Sequence, residues 1–246
     1  MEFSRKLEKL RTGEALDSLL DAYHRWRKPL NSGEMVRELE SKGFERIRGK
    51  YANPEDQKGW PKYVDAARRL ELAIKQARNL QLDRQKTLRI LDIGSGAGYF
   101  LFVCKRLGHS VMGLDLDWPQ MYAEMFELLE MPRKIWRINA FQPLPDLGSR
   151  FDLVTGFAVC FNSHGSNTVW GVEEWEFFLN DLRRNLLSPA AKIYFELNPE
   201  PWGYYTPELG EFFRKQGAAV AGKRVAIGAS YSEFARQAAI NPRNNG

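Results

Sequence analysis

The chain has 246 residues, 43% of them hydrophobic and 27% charged, with a formal net charge of +5. That profile fits a soluble globular protein built as one large domain, or a domain with a small appendage. No run of about 18 apolar residues occurs, which excludes a membrane-spanning helix, and the opening Met1-Glu2-Phe3-Ser4-Arg5-Lys6 lacks the apolar core of a secretory leader.

The elements follow from the spacing of apolar residues. Phe3, Leu7, Leu10, Leu16, Leu19 and Leu20 suit an amphipathic helix. Pro29 and Asn31-Ser32-Gly33 interrupt it, and residues 34–42 form a short helix closed by Gly43. Residues 51–61, with Pro54, Gly59 and Pro61, read as a loop. Ala66, Ala67, Leu70, Ala73, Ile74, Ala77 and Leu80 predict a long helix over 63–80, packed on the core.

Regular alternation begins there. Strands are predicted at 88–93, 110–115, 134–138, 151–157 and 191–197. Helices are predicted at 98–107, from Pro119 to Met131, at 173–187 and from Thr206-Pro207 to Gly217. Two short apolar runs, 218–221 and 225–229, flank Gly222-Lys223-Arg224 and predict an antiparallel edge hairpin. Asn241 to Gly246 is expected to fray. The pattern predicts an α/β fold: a doubly wound, mostly parallel seven-stranded sheet with helices on both faces and an antiparallel last strand. Residues 1–61 would be a helical N-terminal extension to a core domain over 62–246.

The most informative stretch is 88–117. The first strand ends in Asp92, and Gly94, Gly96 and Gly98 follow before a helix opens at Tyr99. The second strand ends in Asp115. Glycines between strand and helix let a ligand approach the backbone closely. A dinucleotide loop, Gly-x-Gly-x-x-Gly, would place its third glycine at position 99, which is Tyr99. Asp92 before the first glycine also favours a cationic group over a pyrophosphate. An acid at Asp115 suits hydrogen bonding to ribose hydroxyls.

This layout is similar to that of class I S-adenosylmethionine (SAM) dependent methyltransferases, over roughly residues 62–230. The resemblance implies SAM as cofactor. It implies that Asp92, Gly94, Ser95, Gly96 and Gly98 hold the methionine part and Asp115 the ribose. Leu116 would flank the adenine, Asn139-Ala140 would approach its amino group, and Phe157 would line the methyl-donor pocket. The Asp/Asn-Pro-Pro-aromatic motif of amino-methylating DNA enzymes is missing after the fourth strand, where Phe157-Ala158-Val159-Cys160 stands. Cys160 follows Val159 rather than proline, unlike the cytosine C5 enzymes.

The acceptor is less legible. His164, in Asn162-Ser163-His164-Gly165, is the candidate catalytic base, with Glu196 and Asn198 as further acceptor contacts. His109 falls at the wrong end of the sheet and is read as structural. Trp60, Tyr63, Trp170, Trp175, Trp202, Tyr204 and Tyr205 gather on predicted loops and could wall a small-molecule pocket. The two cysteines, Cys104 and Cys160, and three histidines have no metal-ligand spacing, so no metal and a reduced, cytoplasmic protein are expected. Residues 1–89 hold 21 basic and 14 acidic residues, and the rest 15 and 17. The basic third would suit an RNA acceptor, but its charges are mixed and never cluster densely. The reading is a SAM-dependent methyltransferase acting on a small molecule at oxygen, monomeric or homodimeric, with residues 1–61 as a cap over the acceptor. RNA methylation, SAM binding without catalysis and NAD-dependent oxidoreduction are the alternatives.

Overall fold

The computed structural model describes residues 14–53, 61–159, 161, 170–199 and 203–228. Seven strands form one sheet: β1 (Arg89–Ile93), β2 (Ser110–Asp115), β3 (Arg133–Ile135), β4 (Phe151–Val159), β5 (Leu187–Leu197), β6 (Ala218–Ala221) and β7 (Arg224–Ile227). Their order is β3-β2-β1-β4-β5-β7-β6. β7 runs antiparallel to both β5 and β6, and the other pairs are parallel. The hairpin expected at 218–229 is therefore present, with its second strand inserted against β5.

Before the sheet come α1 (Glu14–Arg27), α2 (Ser32–Ser41), α3 (Phe44–Tyr51), the single turn α4 (Pro61–Val64) and α5 (Ala66–Asn79). The expected 63–80 helix is split where Asp65 caps α5, its carboxylate accepting from Arg68 N at 3.2 Å. α3 occupies the stretch between the expected 34–42 helix and the expected loop, and takes in the loop's first residue, Tyr51. Phe44, Ile47 and Tyr51 recur at three and four residues and are buried. That spacing is a helical signature.

Between the strands lie α6 (Tyr99–Arg106), α7 (Gln120–Leu128), α8 (Val172–Asp181) and α9 (Pro207–Lys215). One apolar cluster joins α2, α3, α5, α6 and α7 to one face of the sheet, through Met35, Leu39, Phe44, Leu70, Leu101 and Met125. The other joins α8 and α9 to the opposite face, through Trp175, Phe178, Phe195, Leu209 and Phe213. Burying both faces is what a largely parallel sheet requires. Trp170 and Trp175 belong to this second core, ring to ring with Phe161 and Phe178. They are packing residues, not walls of a pocket.

Two boundaries differ from expectation for visible reasons. The helix expected over 173–187 closes in a π-turn at Leu182–Leu186, and β5 starts at Leu187. The Arg150 guanidinium donates to Leu187 O and Arg184 O at 2.7 Å each, satisfying carbonyls at the helix end. β5 then bulges: Phe151 faces Leu187 but Leu153 faces Lys192. His109 is structural, as read: Leu88 N donates to its Nδ1 at 3.1 Å, and its Nε2 lies 2.9 Å from Leu82 O.

The approach of α7 to the sheet depends on a missing side chain. A Cβ at Gly113 would meet Phe126 ring carbons at 2.6 and 2.7 Å and Ser95 Oγ at 2.7 Å. Gly113→Val should cost about 1–3 kcal/mol by overpacking. Urea unfolding of the two proteins, compared at equal slope, checks this, and an unchanged midpoint would contradict the packing account.

Candidate functional site

Parallel strands connected by helices bring their carboxyl ends to one edge of the sheet, and ligands bind there in open α/β folds. A cavity of about 390 Å³ lies at that edge. Its lining includes Gly94 and Gly96, Asp115 at the end of β2 and Leu116 after it, and Phe157 to Val159 at the end of β4.

The glycine loop is held from both sides. Gly94 N donates to Leu114 O at 2.8 Å, and Gly98 N to Ser95 O at 3.0 Å. Gly94, Gly96 and Gly98 all have positive φ, at 69°, 55° and 77°. At Gly94 a Cβ would also strike Val159 at 2.7 Å. The Asp115 carboxylate accepts from Gly96 N at 2.6 Å through Oδ2 and from Leu116 N at 2.7 Å through Oδ1. Burial raises its pKa, and these two N–H groups pull it back. Each oxygen keeps a lone pair for a further donor.

The expected cofactor residues divide into two groups. Gly94, Gly96, Asp115, Leu116 and Phe157 line the cavity; Asp92, Ser95, Gly98, Asn139 and Ala140 are not part of its lining. Gly98 answers to packing, since a Cβ there would meet Met131 Cε at 2.8 Å and Phe126 at 3.0 Å. Ser95 is buried, its Oγ without a hydrogen-bond partner. Asn139 and Ala140 are exposed, and Asn139 Nδ2 donates to Gln142 Oε1 at 2.6 Å. The expected 134–138 strand ends at Ile135, so Trp136, Arg137 and Ile138 form that part of the wall instead.

Asp92 lies under the loop, 3% exposed, and accepts from the Thr155 hydroxyl at 2.6 Å. Burial pushes its pKa up to about 7; the Thr155 bond opposes this and the Asp115 charge adds to it. Thr155 has no sequence signature beyond its place on β4.

Further lining residues escaped the sequence reading, among them Arg69, Tyr122, Val159 and Phe161. Tyr122 comes from α7, and its ring packs edge-on against Tyr63 at 5.7 Å. Arg69 lies over the Tyr63 ring at 4.5 Å and donates from Nε to Lys62 O at 2.9 Å. Tyr99 fixes this corner by donating to Tyr63 O at 3.0 Å. Phe157 packs on Phe100 at 4.7 Å and on Tyr194 at 5.8 Å. Between Phe157 and Val159 the strand bulges, and Ala158 has φ 56°. Bulges of this kind re-aim side chains beside sites.

On the acceptor side, Asn198 Nδ2 donates to Ala158 O at 2.9 Å. Glu196 is taken up by Lys223 at 2.6 Å, Arg224 at 3.5 Å and the Tyr194 hydroxyl at 3.1 Å. His164, Cys160, Trp60 and Trp202 lie outside the described residues. Among the described residues no group of His, Cys, Asp or Glu could hold a metal, and no helix is long and apolar enough to cross a membrane.

No protein-family model matches the sequence, and no curated protein sequence matches it. Solved structures show a loose likeness. A ribosomal protein L11 methylase from Lactobacillus delbrueckii subsp. bulgaricus is 17% identical at TM-score 0.40, over 65% of this chain and 74% of that one. SAM-bound CalS10, an amino pentose methyltransferase from Micromonospora echinaspora, is 25% identical at TM-score 0.40, over 56% and 54%. Monomeric WbdD is 21% identical at TM-score 0.46, over 69% of this chain and only 44% of that one. The fold assignment stands on the strand order and the inserted antiparallel β7. The fold is the mostly parallel seven-stranded sheet with an antiparallel last strand that the resemblance to class I methyltransferases implied.

The buried Asp92 gives this fold a pH dependence. Its folded pKa, about 7, exceeds the ordinary 3.8, so the native state holds a proton that the unfolded chain releases. Stability therefore falls as pH rises from about 4 to about 7, by on the order of 4 kcal/mol at most. Asp92→Asn removes the titration. Its stability relative to the parent should rise between pH 4.5 and 7.5 in ligand-free urea unfolding, and a constant difference would refute the assignment.

Proposed function

We propose that the cavity binds SAM and that the protein transfers its methyl group to a small-molecule acceptor, at oxygen. The observation that carries this is the joining of Asp115 to the Gly96 loop in the wall of a cavity of about 390 Å³, within the usual range for small-ligand sites.

The lining fits the cofactor. Asp115 has lone pairs for the ribose hydroxyls, and Leu116 offers an apolar surface to the adenine. Arg69, a lining cation that lies over the Tyr63 ring, would pair the methionine carboxylate. Asp92 would act through the loop above it. The rings of Phe157 and Tyr122 supply faces that attract a cation such as a sulfonium. When bound, the cofactor offers an electrophilic methyl on a cationic sulfur. The acceptor oxygen forms the new bond to that carbon, the carbon–sulfur bond breaks, and the electron pair stays on sulfur. The acceptor proton passes to a base, for which His164 is the candidate.

The N-terminal segment would serve as a wall of the acceptor site. Lys50 and Tyr51 of α3 both bond Glu124 of α7, at 2.5 and 2.9 Å. Glu124 sits two residues after the cavity residue Tyr122. The same bonds weigh against an RNA acceptor. Lys50 is paired with Glu124 and Lys42 with Glu130, and Glu38 takes up Arg106, so part of the basic charge is paired locally.

Calorimetry tests the reading directly. SAM should bind and NAD should not; the reverse result would overturn it. Asp115→Ala and Arg69→Ala should each weaken SAM binding about 10- to 100-fold, the worth of a charge-assisted hydrogen bond, with unchanged circular dichroism. Against an acceptor panel, His164→Ala should lower kcat at least about 100-fold while leaving SAM affinity intact. Undiminished turnover would remove His164 from the mechanism, and tight SAM binding with no turnover on any acceptor would favour a non-catalytic role.

A further inference from the structure

α7 stands beside the cofactor cavity and is held unevenly along its length. Its C-terminal end is tied down by two lysines. Lys105 Nζ donates to Leu129 O at 3.2 Å and to Glu130 O at 2.9 Å, and Lys42 pairs with Glu130 at 3.4 Å. Its first turns carry Tyr122, which lines the cavity and is the side chain that a Cβ at Gly96 would meet, at 3.8 Å. Pro119 gives those turns no side-chain cap. Among the described residues, the side-chain hydrogen bonds and ion pairs that reach residues 120–125 are those of Lys50 and Tyr51 to Glu124, and no others.

Nothing nearby could replace those two donors. The Glu124 side chain is only 11% exposed, and Tyr51 is buried. Lys50 and Tyr51 converge on one carboxylate oxygen, Oε1, while Oε2 is buried without a hydrogen-bond partner. Removing both donors leaves a largely buried charge unpaired, which is costly. The carboxylate then reaches water only if the side chain swings out or the helix moves.

Helix geometry carries this to the cavity. Residues two apart on an α-helix project about 200° apart, so Glu124 and Tyr122 leave α7 on nearly opposite sides. Bonds to Glu124 therefore fix the rotation about the helix axis that aims the Tyr122 ring. On its own side that ring meets Tyr63 of α4 edge-on at 5.7 Å. The N-terminal segment thus holds the start of α7 from two directions, although α3 itself contributes no residue to the cavity lining.

We propose that Lys50 and Tyr51 are positioning residues for the cofactor: through Glu124 they set the Tyr122 ring over the Gly96 loop, and SAM affinity depends on them. The proposal rests on the reading of the cavity as a SAM site.

Calorimetry on the full chain tests it. Lys50→Met with Tyr51→Phe should weaken SAM binding about 5- to 30-fold, and Lys50→Arg, which keeps the charge, should leave it unchanged. In a Tyr122→Ala background the same pair of substitutions should have no further effect, because their influence passes through that ring. Without SAM, amides of 120–125 should exchange at least about 10-fold faster in the double variant, whereas those of 126–129, on the Lys105 side, should not. If the double variant fails to fold, Lys50→Met alone carries the test, since that side chain is half exposed. Full SAM affinity in the variant would overturn the proposal, as would weakening that persists undiminished in the Tyr122→Ala background. A parent that binds no SAM would instead overturn the reading of the cavity, and this proposal with it.

Discussion

Asp115 joins two strand ends that the chain visits 22 residues apart. Its carboxylate holds the N–H of Gly96, while the strand carrying it holds the loop's first glycine through Leu114 O. β1 and β2 are adjacent and parallel, so both ends open on one side of the sheet. Without the two backbone donors, this largely buried carboxylate would be driven toward its neutral form. With them it can remain charged and still present lone pairs outward. Loop shape and acid position are therefore one feature, and the cavity is built on it.

The glycines around this junction do different jobs. A Cβ at Gly96 would meet only Tyr122, at 3.8 Å or more. Nothing in the protein crowds that position, so the absent side chain leaves space over the loop. Gly98 and Gly113 are the reverse case, because Phe126 and Met131 already fill the volume a Cβ would need. One pair of side chains from α7 and its end thus sets the distance between helix and sheet. Any drift of α7 would move Tyr122, and with it the corner formed by Tyr63 and Arg69.

The parts legible in the sequence were those where a local pattern matches a local cause. Apolar runs ending in Asp92 and Asp115 gave β1 and β2, and the glycine spacing gave the loop between β1 and the next helix. Failures came where a distant partner decides. β5 begins four residues before its expected start because Arg150 caps the helix end and a bulge absorbs the extra residues. Trp170 and Trp175 looked available for a pocket because they follow the fourth strand, yet the α8 and α9 core encloses them. Asn139 fell outside the cavity because β3 is shorter than its apolar run. Arg69 and Tyr122 carry no motif; they reach the cavity from helices whose placement depends on the whole first core.

The two acids of the motif are held by different partners, and that difference bears on the proposed chemistry. Asp92 has a single side-chain partner and sits near half-protonation at neutral pH; Asp115 has two N–H donors. Because they repel, a cation placed near them lowers the proton affinity of both. On the proposed reading the donor carries a sulfonium and its product a neutral thioether. Transfer therefore removes one positive charge from a site whose nearest fixed acids favour it. On that reading the field of Asp115 and Asp92 would hold donor more tightly than product. An added carboxylate in this wall would strengthen that hold, but it would also resist the loss of charge that accompanies transfer. A pair with one acid kept near neutrality is a compromise between binding the cation and releasing what remains.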